Sequence, residues 1–189
     1  MSEIYLTSDF HFNHDREFIW RSRGFQSIGE MNEAIIERYN SIVTEEDDVY
    51  ILGDLMLGGP AALQNGIEYI GRLNGKLHIV RGNHDSVTRW IMFRSLSNVV
   101  EVENSIYLDY EGHHFYLSHY PSITGSLHSD NLKHMTLNLY GHTHQKTNFF
   151  EDMPFMYHVG VDSHDCKPVN IEEIIPEMNY KMYECKEQL

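Results

Sequence analysis

The sequence predicts an α/β fold of two sheets packed together with helices outside. Three features carry that prediction. Short apolar segments alternate with segments of helical period in the first half, several apolar segments end abruptly on Gly, Asp, Asn or His, and the second half turns to a hairpin pattern. Ile4–Ser8 reads as a buried strand stopping at Asp9. Val49–Leu52 is a second, ending at Gly53 and Asp54, and Leu77–Val80 a third, ending at Gly82, Asn83 and His84. Between the first two, Met31, Ile35, Tyr39 and Ile42 recur at helical spacing behind a Ser27/Glu30 capping box, and Ala61–Leu73 offers a second helix. Strand, helix, strand, helix, strand predicts βαβ units with parallel strands, and open sheets of that kind collect ligands at the carboxyl ends of their strands.

Ser105–Tyr110, the turn Glu111-Gly112 and His113–Ser118 read as a hairpin whose second arm ends at His119. Leu137–Tyr140 is a further strand ending at Gly141, His142, Thr143 and His144, and Met156–Val161 another before Asp162. Ser122–Lys133 reads as a loop, and Pro176–Leu189 as a weak helix or frayed tail. At 189 residues the chain fits one domain, 1–189, with 176–189 as that tail.

Composition narrows the function. The apolar fraction is 41% with 12% aromatics, and no stretch approaches the ~20 apolar residues needed to span a bilayer. Met1 and Ser2 run straight into an apolar segment without a signal-peptide core, and two cysteines, Cys166 and Cys185, make no disulfide framework, so a cytoplasmic setting is expected. Fourteen Lys and Arg against 28 Asp and Glu give a formal charge of −14, which opposes extended nucleic-acid binding. Bound dications would supply a local positive field for a phosphate ester even on so acidic a chain. A homo-oligomer is left open.

The chemistry sits in islands: Asp9 with His11, Asp54, Asn83 beside His84, His119, and His142 with His144. Each offers an oxygen or nitrogen donor suited to a borderline divalent metal, and five segment ends carry them. Two dications roughly 3.5–4 Å apart need a shared anion, and Asp54, beside Gly53, is the candidate bridge, one ion on each oxygen. In extended backbone Asp9 and His11 point the same way and bind the first ion with His144, while Asn83, His119 and His142 take the second. Nitrogen and oxygen donors suit Mn²⁺, the favoured ion, as well as Fe²⁺, Ni²⁺, Co²⁺ or Zn²⁺.

Asp9-Phe10-His11, Gly53-Asp54, Gly82-Asn83-His84-Asp85, Ser118-His119 and Gly141-His142-Thr143-His144, in this order, resemble the calcineurin-like metallophosphoesterase superfamily. The resemblance implies a four-layer α/β/β/α sandwich and the ligand assignments above. It also implies that His84 points past the metals and protonates the leaving oxygen, worth about 10²–10⁴-fold in rate, while a hydroxide shared by both ions attacks phosphorus in line. Thr7–His14 and Val159–His164 are similar to small prokaryotic or phage phosphoesterases of largely unassigned substrate. Protein Ser/Thr phosphatases carry a further Asp and Arg after Gly-Asp, whereas this chain reads Leu55-Met56-Leu57-Gly58-Gly59, which disfavours phosphoproteins.

The expected activity is therefore a metal-dependent phosphodiesterase acting on a nucleotide or similar small ester. A small-molecule phosphomonoesterase shares every ligand. A non-catalytic scaffold, a role this fold has in a trafficking subunit of the superfamily, would carry degenerate ligands. Around the centre, His14 either lines the substrate side or caps a turn, and Asp162 and His164 either reach the rim or serve a turn. Arg81 either contacts phosphate or pairs on the surface, and Asp85 is adjacent to His84 without being shown to orient it.

Overall fold

The structure, a computed structural model, describes residues 2–124, 129 and 131–187. Its first sheet has the order β4-β3-β2-β1-β9 and its second β5-β6-β7-β8. In the first, β1 (Ile4–Thr7), β2 (Asp48–Leu52), β3 (Lys76–Val80) and β4 (Val99–Glu103) run parallel, and β9 (Val169–Asn170) pairs antiparallel with β1. In the second, β5 (Ile106–Tyr110) and β6 (His113–Ser118) form the expected hairpin, and β7 (Thr136–Tyr140) and β8 (Met156–His158) add parallel strands. Glu111 and Gly112 at its turn both have positive φ, 48° and 77°, the twist that matches two-residue hairpins.

Alternation along the strands makes the layers. Val49, Ile51, Leu77 and Ile79 are buried against Ile35 and Tyr39 of α2 (Ile28–Asn40) and Ile70 of α3 (Pro60–Gly71). Leu52 and Val80 face the opposite way, onto Phe115, Leu117, Leu137 and Leu139 of the second sheet. Full burial of each such side chain is worth about 1.5–3 kcal/mol, so a one-residue slip in β2 or β3 would forfeit several of these. The result is two mixed sheets flanked by helices, as expected. Ser27 caps α2 by accepting from the Glu30 N–H, but the Glu30 carboxylate reaches back to the Gln26 N–H instead of closing the box on Ser27.

Several elements escaped the sequence reading. They are α1 (Glu17–Trp20), α4 (Val87–Phe93), β4 and β9, all short or only partly buried. Of the two alternatives for the tail the helix holds: α5 (Ile171–Glu187) starts earlier than expected and runs continuously through Pro176. Ile171, Ile174 and Met178 are buried and hold it, although Pro176 forfeits one intrahelical N–H. Of the loop expected over Ser122–Lys133, residues 125–128 and 130 lie outside the described residues, and Leu132–His134 forms a single 3₁₀ turn.

Candidate metal centre

Because β1, β2 and β3 are adjacent and parallel, their carboxyl ends set Asp9, Asp54 and Asn83 side by side. The ladder continues past the strands, the N–H groups of Asp9 and His11 donating to the carbonyls of Gly53 and Asp54 at 3.0 Å each. From the second sheet, β6 delivers His119 and β7 delivers His142 and His144. The sheets are joined here, where Ser8 pairs with Gly160 and Val161 N donates to Ser8 O at 3.1 Å.

The backbone at the ligand positions is not extended. Asp9, His11, Asp54, His142 and His144 all have positive φ, between 50° and 68°, which costs non-glycine residues on the order of 1–3 kcal/mol each. Side-chain alternation is thus not what brings Asp9 and His11, or His142 and His144, together; tight left-handed turns do. Glycines make room for them. A Cβ on Gly53 would stand 2.6 Å from Gly82 Cα and His119 Nδ1, and one on Gly141 would stand 2.8 Å from Ser8 Cβ and strike the Asp9 carboxylate.

Two groups of donors result. Asp9, His11 and His144 converge in one, and Asp54, His119 and His142 in the other, the atoms of each lying within 4.8 Å of one another. Asp54 Oδ2 lies between them, 3.6 Å from His11 Nε2 and 3.5 Å from His119 Nε2. Its other oxygen is engaged, accepting the His84 N–H at 2.9 Å. Of the two carboxylate oxygens, Oδ2 is the one that faces both groups.

Three observations say that this donor set suits cations. Asp9 Oδ2 accepts from Ser8 Oγ at 2.5 Å and His142 N at 2.9 Å, while Oδ1 is buried with no hydrogen-bond partner. His119 turns Nδ1 to the Leu52 carbonyl at 2.8 Å, so Nδ1 carries the proton and Nε2, bare, faces Asn83 Oδ1 at 2.9 Å. His144 Nδ1 donates to Asp162 Oδ2 at 2.7 Å, and its bare Nε2 lies 3.1 Å from His11 Nε2. Lone pairs turned toward lone pairs in a buried space are what a shared cation resolves.

The surroundings fix this geometry. Burial pushes the Asp9 carboxyl up, opposed by His119, His144 and the Ser8 hydroxyl. Burial and His144 hold His11 well below the usual histidine range. Burial, the largest influence, would lower His144 too, but the hydrogen bond to Asp162 and the charges of Asp9 and Asp162 together outweigh it and raise His144. Asp162 itself, despite burial, is held far below the carboxylate range by His144 and Arg23. Arg23, which the sequence reading missed, is almost fully buried and grips Asp162 at both oxygens, Nε to Oδ1 at 3.1 Å and Nη2 to Oδ2 at 2.8 Å. It also donates to the carbonyls of Asp9 and Phe10. No local signal marks Arg23, because its partner is 139 residues away in sequence.

These features match a known family. The calcineurin-like phosphoesterase superfamily domain matches residues 3–160. The chain belongs to that superfamily. A Methanocaldococcus jannaschii protein, MJ1445, uncharacterised by its own description, is 33% identical over 181 residues, covering 93% of this chain and 90% of that one. The gene 66 protein of Mycobacterium phage L5 is 25% identical over 183 residues, 86% of this chain and 88% of the phage protein. Among solved structures, AQ665 of Aquifex aeolicus, of unknown function, superposes with a TM-score of 0.68 at 22% identity, over 93% of this chain and 99% of that one.

Within this phosphoesterase fold the remaining expected residues fall in different places. His84 and His14 line a cleft of about 550 Å³ together with Phe18 and Lys146. His84 Nε2 is 3.9 Å from Asp54 Oδ2. His14 Nδ1 faces His11 Nδ1 at 3.3 Å, and burial, with His84 next in effect, lowers His14 to about 4. Asp85 does not orient His84. Its Oδ2 accepts the N–H groups of Asp54 and Gly82 at 2.8 and 2.9 Å, and burial pushes it up to about 6.

Asp162 lines the cleft, but its oxygens are taken by Arg23, His144 and Lys146. His164 turns Nε2 to the His158 carbonyl at 2.9 Å and stacks on Tyr157, and it does not line that cleft. Arg81 makes no surface ion pair among the described residues: Nε donates to the Asp85 carbonyl at 3.0 Å, the guanidinium lies over Trp90, and the side chain borders a second cleft beside Asn83 and His119.

Proposed function

We propose that the protein is a dinuclear-metal phosphoesterase that prefers small phosphodiesters, nucleotides among them. The observation that carries this reading is the convergence of both donor groups on Asp54 Oδ2 with His84 beside it. Asp9, His11 and His144 would hold one divalent cation and Asn83, His119 and His142 the other, with Asp54 shared. Two such cations would neutralise the phosphoryl oxygens and supply an activated water near neutral pH.

The chain's own groups do the rest. His84 donates a proton to the departing oxygen, and its backbone carbonyl, gripped by Arg89, keeps the imidazole over the cleft. His14 accepts the His11 Nδ1–H and so leaves His11 Nε2 free as a donor atom toward the centre. Arg23 and Asp162 keep His144 in the tautomer whose Nε2 is bare. Manganese is the favoured ion on donor type. The two free cysteines suit a reducing cytoplasm, and among the described residues no helix is long and apolar enough to cross a membrane.

The test loads the purified protein with Mn²⁺. Bis(p-nitrophenyl) phosphate should turn over faster than p-nitrophenyl phosphate; the reverse order would favour the monoesterase reading, which shares all ligands. Asp54→Ala should abolish both activities and lower bound manganese. Unchanged hydrolysis in that variant would remove the shared carboxylate from the chemistry. A scaffold role is disfavoured because both carboxylates and His84 are in place.

A further inference from the structure

We propose that the two clefts beside Asp54 are the two arms of one site for an unsymmetrical phosphodiester. A ring-bearing alcohol, the leaving arm, lies in the cleft of Phe18, and a hydrophilic arm, which keeps the phosphoryl group, lies in the cleft of Arg81 and Tyr120. The inference deepens the phosphoesterase reading and rests on it.

The clefts differ in chemistry and meet at one point. The first, about 550 Å³, has His11, His84 and His144 at its inner end and Phe18, Ile19 and Lys146 around it. Phe18 is 69% exposed on the four-residue α1, with its ring edge-on to His14 at 5.9 Å. Core packing does not account for a phenyl group held in water at the entrance to a reactive centre. An open aromatic face there stacks a planar ring, worth about 1–3 kcal/mol for a nucleobase. The Lys146 ammonium, 59% exposed, offers the ring's polar edge a donor.

The second cleft, about 460 Å³, is lined by Arg81, Asn83, Asn104, His119, Tyr120 and Ser122, a set dominated by hydrogen-bond donors. Arg81 uses Nε on the Asp85 carbonyl, and its Nη groups meet no acceptor among the described residues. Tyr120 is half exposed and leans on both His119 and His142, at 5.1 and 4.7 Å between rings. Asp54 Oδ2, within 3.6 Å of His11 from one cleft and of His119 from the other, marks the junction. A monoester centred there would occupy one cleft and leave the other to water, whereas a diester fills both.

His84 gives the site its direction. It lines the first cleft and not the second, so an oxygen it protonates belongs to the arm in the Phe18 cleft. Water adds to phosphorus and the P–O bond to the ring-bearing arm breaks. The bonding pair leaves on that oxygen, which takes the His84 proton, and the proton lost by water passes to solvent. The products are the ring-bearing alcohol and the phosphomonoester of the hydrophilic arm.

The probe is the phosphodiester of benzyl alcohol with the 6-hydroxyl of glucose, whose two alkoxides leave with comparable intrinsic ease. The Mn²⁺-loaded full chain should release benzyl alcohol and glucose 6-phosphate in at least about tenfold excess over the opposite cleavage, read by ³¹P resonance. Phe18→Ala should cut that ratio about tenfold and weaken calorimetric binding of benzyl phosphate at least fivefold, and Phe18→Trp should restore both. Arg81→Met, which keeps the stem over Trp90, should weaken binding of glucose 6-phosphate. Unchanged unfolding midpoints certify that the variants fold.

Hydrolysis of bis(p-nitrophenyl) phosphate combined with release of glucose from the mixed diester would overturn the arm assignment and leave the enzyme reading standing. So would an unchanged ratio in Phe18→Ala. Absence of hydrolysis of every ester would overturn both.

Discussion

Arg23 closes a planar fork on Asp162, both oxygens of the carboxylate bonded within 3.1 Å, and both side chains are almost wholly withdrawn from water. Asp162 passes that order to His144 Nδ1, and Arg23 adds direct bonds to the carbonyls of Asp9 and Phe10. One pair thus fixes a donor atom from each sheet. Breaking a buried pair by removing one member costs about 3–5 kcal/mol, because the other charge is stranded. Arg23→Met should lower unfolding free energy in urea by about that amount. It should also weaken manganese binding about 10–100-fold, as measured by calorimetry, through misplacement of His144. A stability loss below about 1 kcal/mol would show that the pair is not holding the centre.

Asp85 supports the other side of the same centre. Its Oδ2 satisfies the N–H groups of Asp54 and Gly82, which set the approach of the second and third strand ends. Asp85→Ala leaves two buried N–H groups unpaired, at about 1–3 kcal/mol each. The expected loss is about 2–6 kcal/mol in chemical denaturation. Bound metal should fall with it while the His84 side chain, which Asp85 does not touch, stays in its cleft. If Asp85→Ala instead kept full metal content and altered only the pH profile of hydrolysis, Asp85 would be acting on His84 after all.

What could be read in advance divides along local and non-local lines. Val49–Leu52 and Leu77–Val80 announce themselves because they are buried on both faces and stopped by Gly-Asp and Gly-Asn, so strand, end and donor lie in one short word. The fold groups His11 with His144 and His119 with His142, the grouping expected from the order of the motifs, but extended backbone was the wrong ground for it. The left-handed φ values at Asp9, His11, His142 and His144 are tertiary outcomes, imposed where strand ends from two sheets crowd together. Arg23 was illegible because its meaning lies in Asp162, far along the chain. β4 and β9 were illegible because they are only partly buried or two residues long, with too little periodicity to register. His164 stays open in the sequence because a polar run after a strand serves ligands and turns alike, and only the fold shows its bond going to the His158 carbonyl.

His158 makes acid stability a specific expectation. Burial, then the neighbouring His164, lowers it to about 3, and its Nδ1 bonds Ser163 Oγ at 2.8 Å while Nε2 has no partner. Between about pH 6.5, where an unfolded histidine titrates, and about 3, the unfolded chain binds the extra proton. Stability therefore rises with pH across that window and is lost on acidification, by on the order of 5 kcal/mol from this group alone. Asp162, also lowered, acts in the same sense at pH below about 4. His158→Leu should flatten the difference in urea midpoint between pH 6.5 and 4.5 relative to the unaltered chain. An equal pH dependence in both proteins would show that His158 is not held neutral.

Gly141 tests whether close approach at the junction of the sheets governs metal binding. A methyl group there would press on Ser8 and on the Asp9 carboxylate oxygen that accepts from Ser8 Oγ and His142 N. Neither neighbour can yield easily, since Ser8 is fully buried and its segment is paired to Gly160 and Val161. Overpacking of this kind costs about 1–3 kcal/mol, and here the displaced atoms belong to the proposed first cation site. Gly141→Ala should fold with that loss of stability. If the centre binds two cations as proposed, it should retain the one at Asn83, His119 and His142 and lose the one at Asp9, His11 and His144, so that bound manganese falls from two equivalents to one. Two equivalents retained at unchanged affinity would show that Asp9 tolerates displacement and that close approach at Gly141 does not govern metal binding.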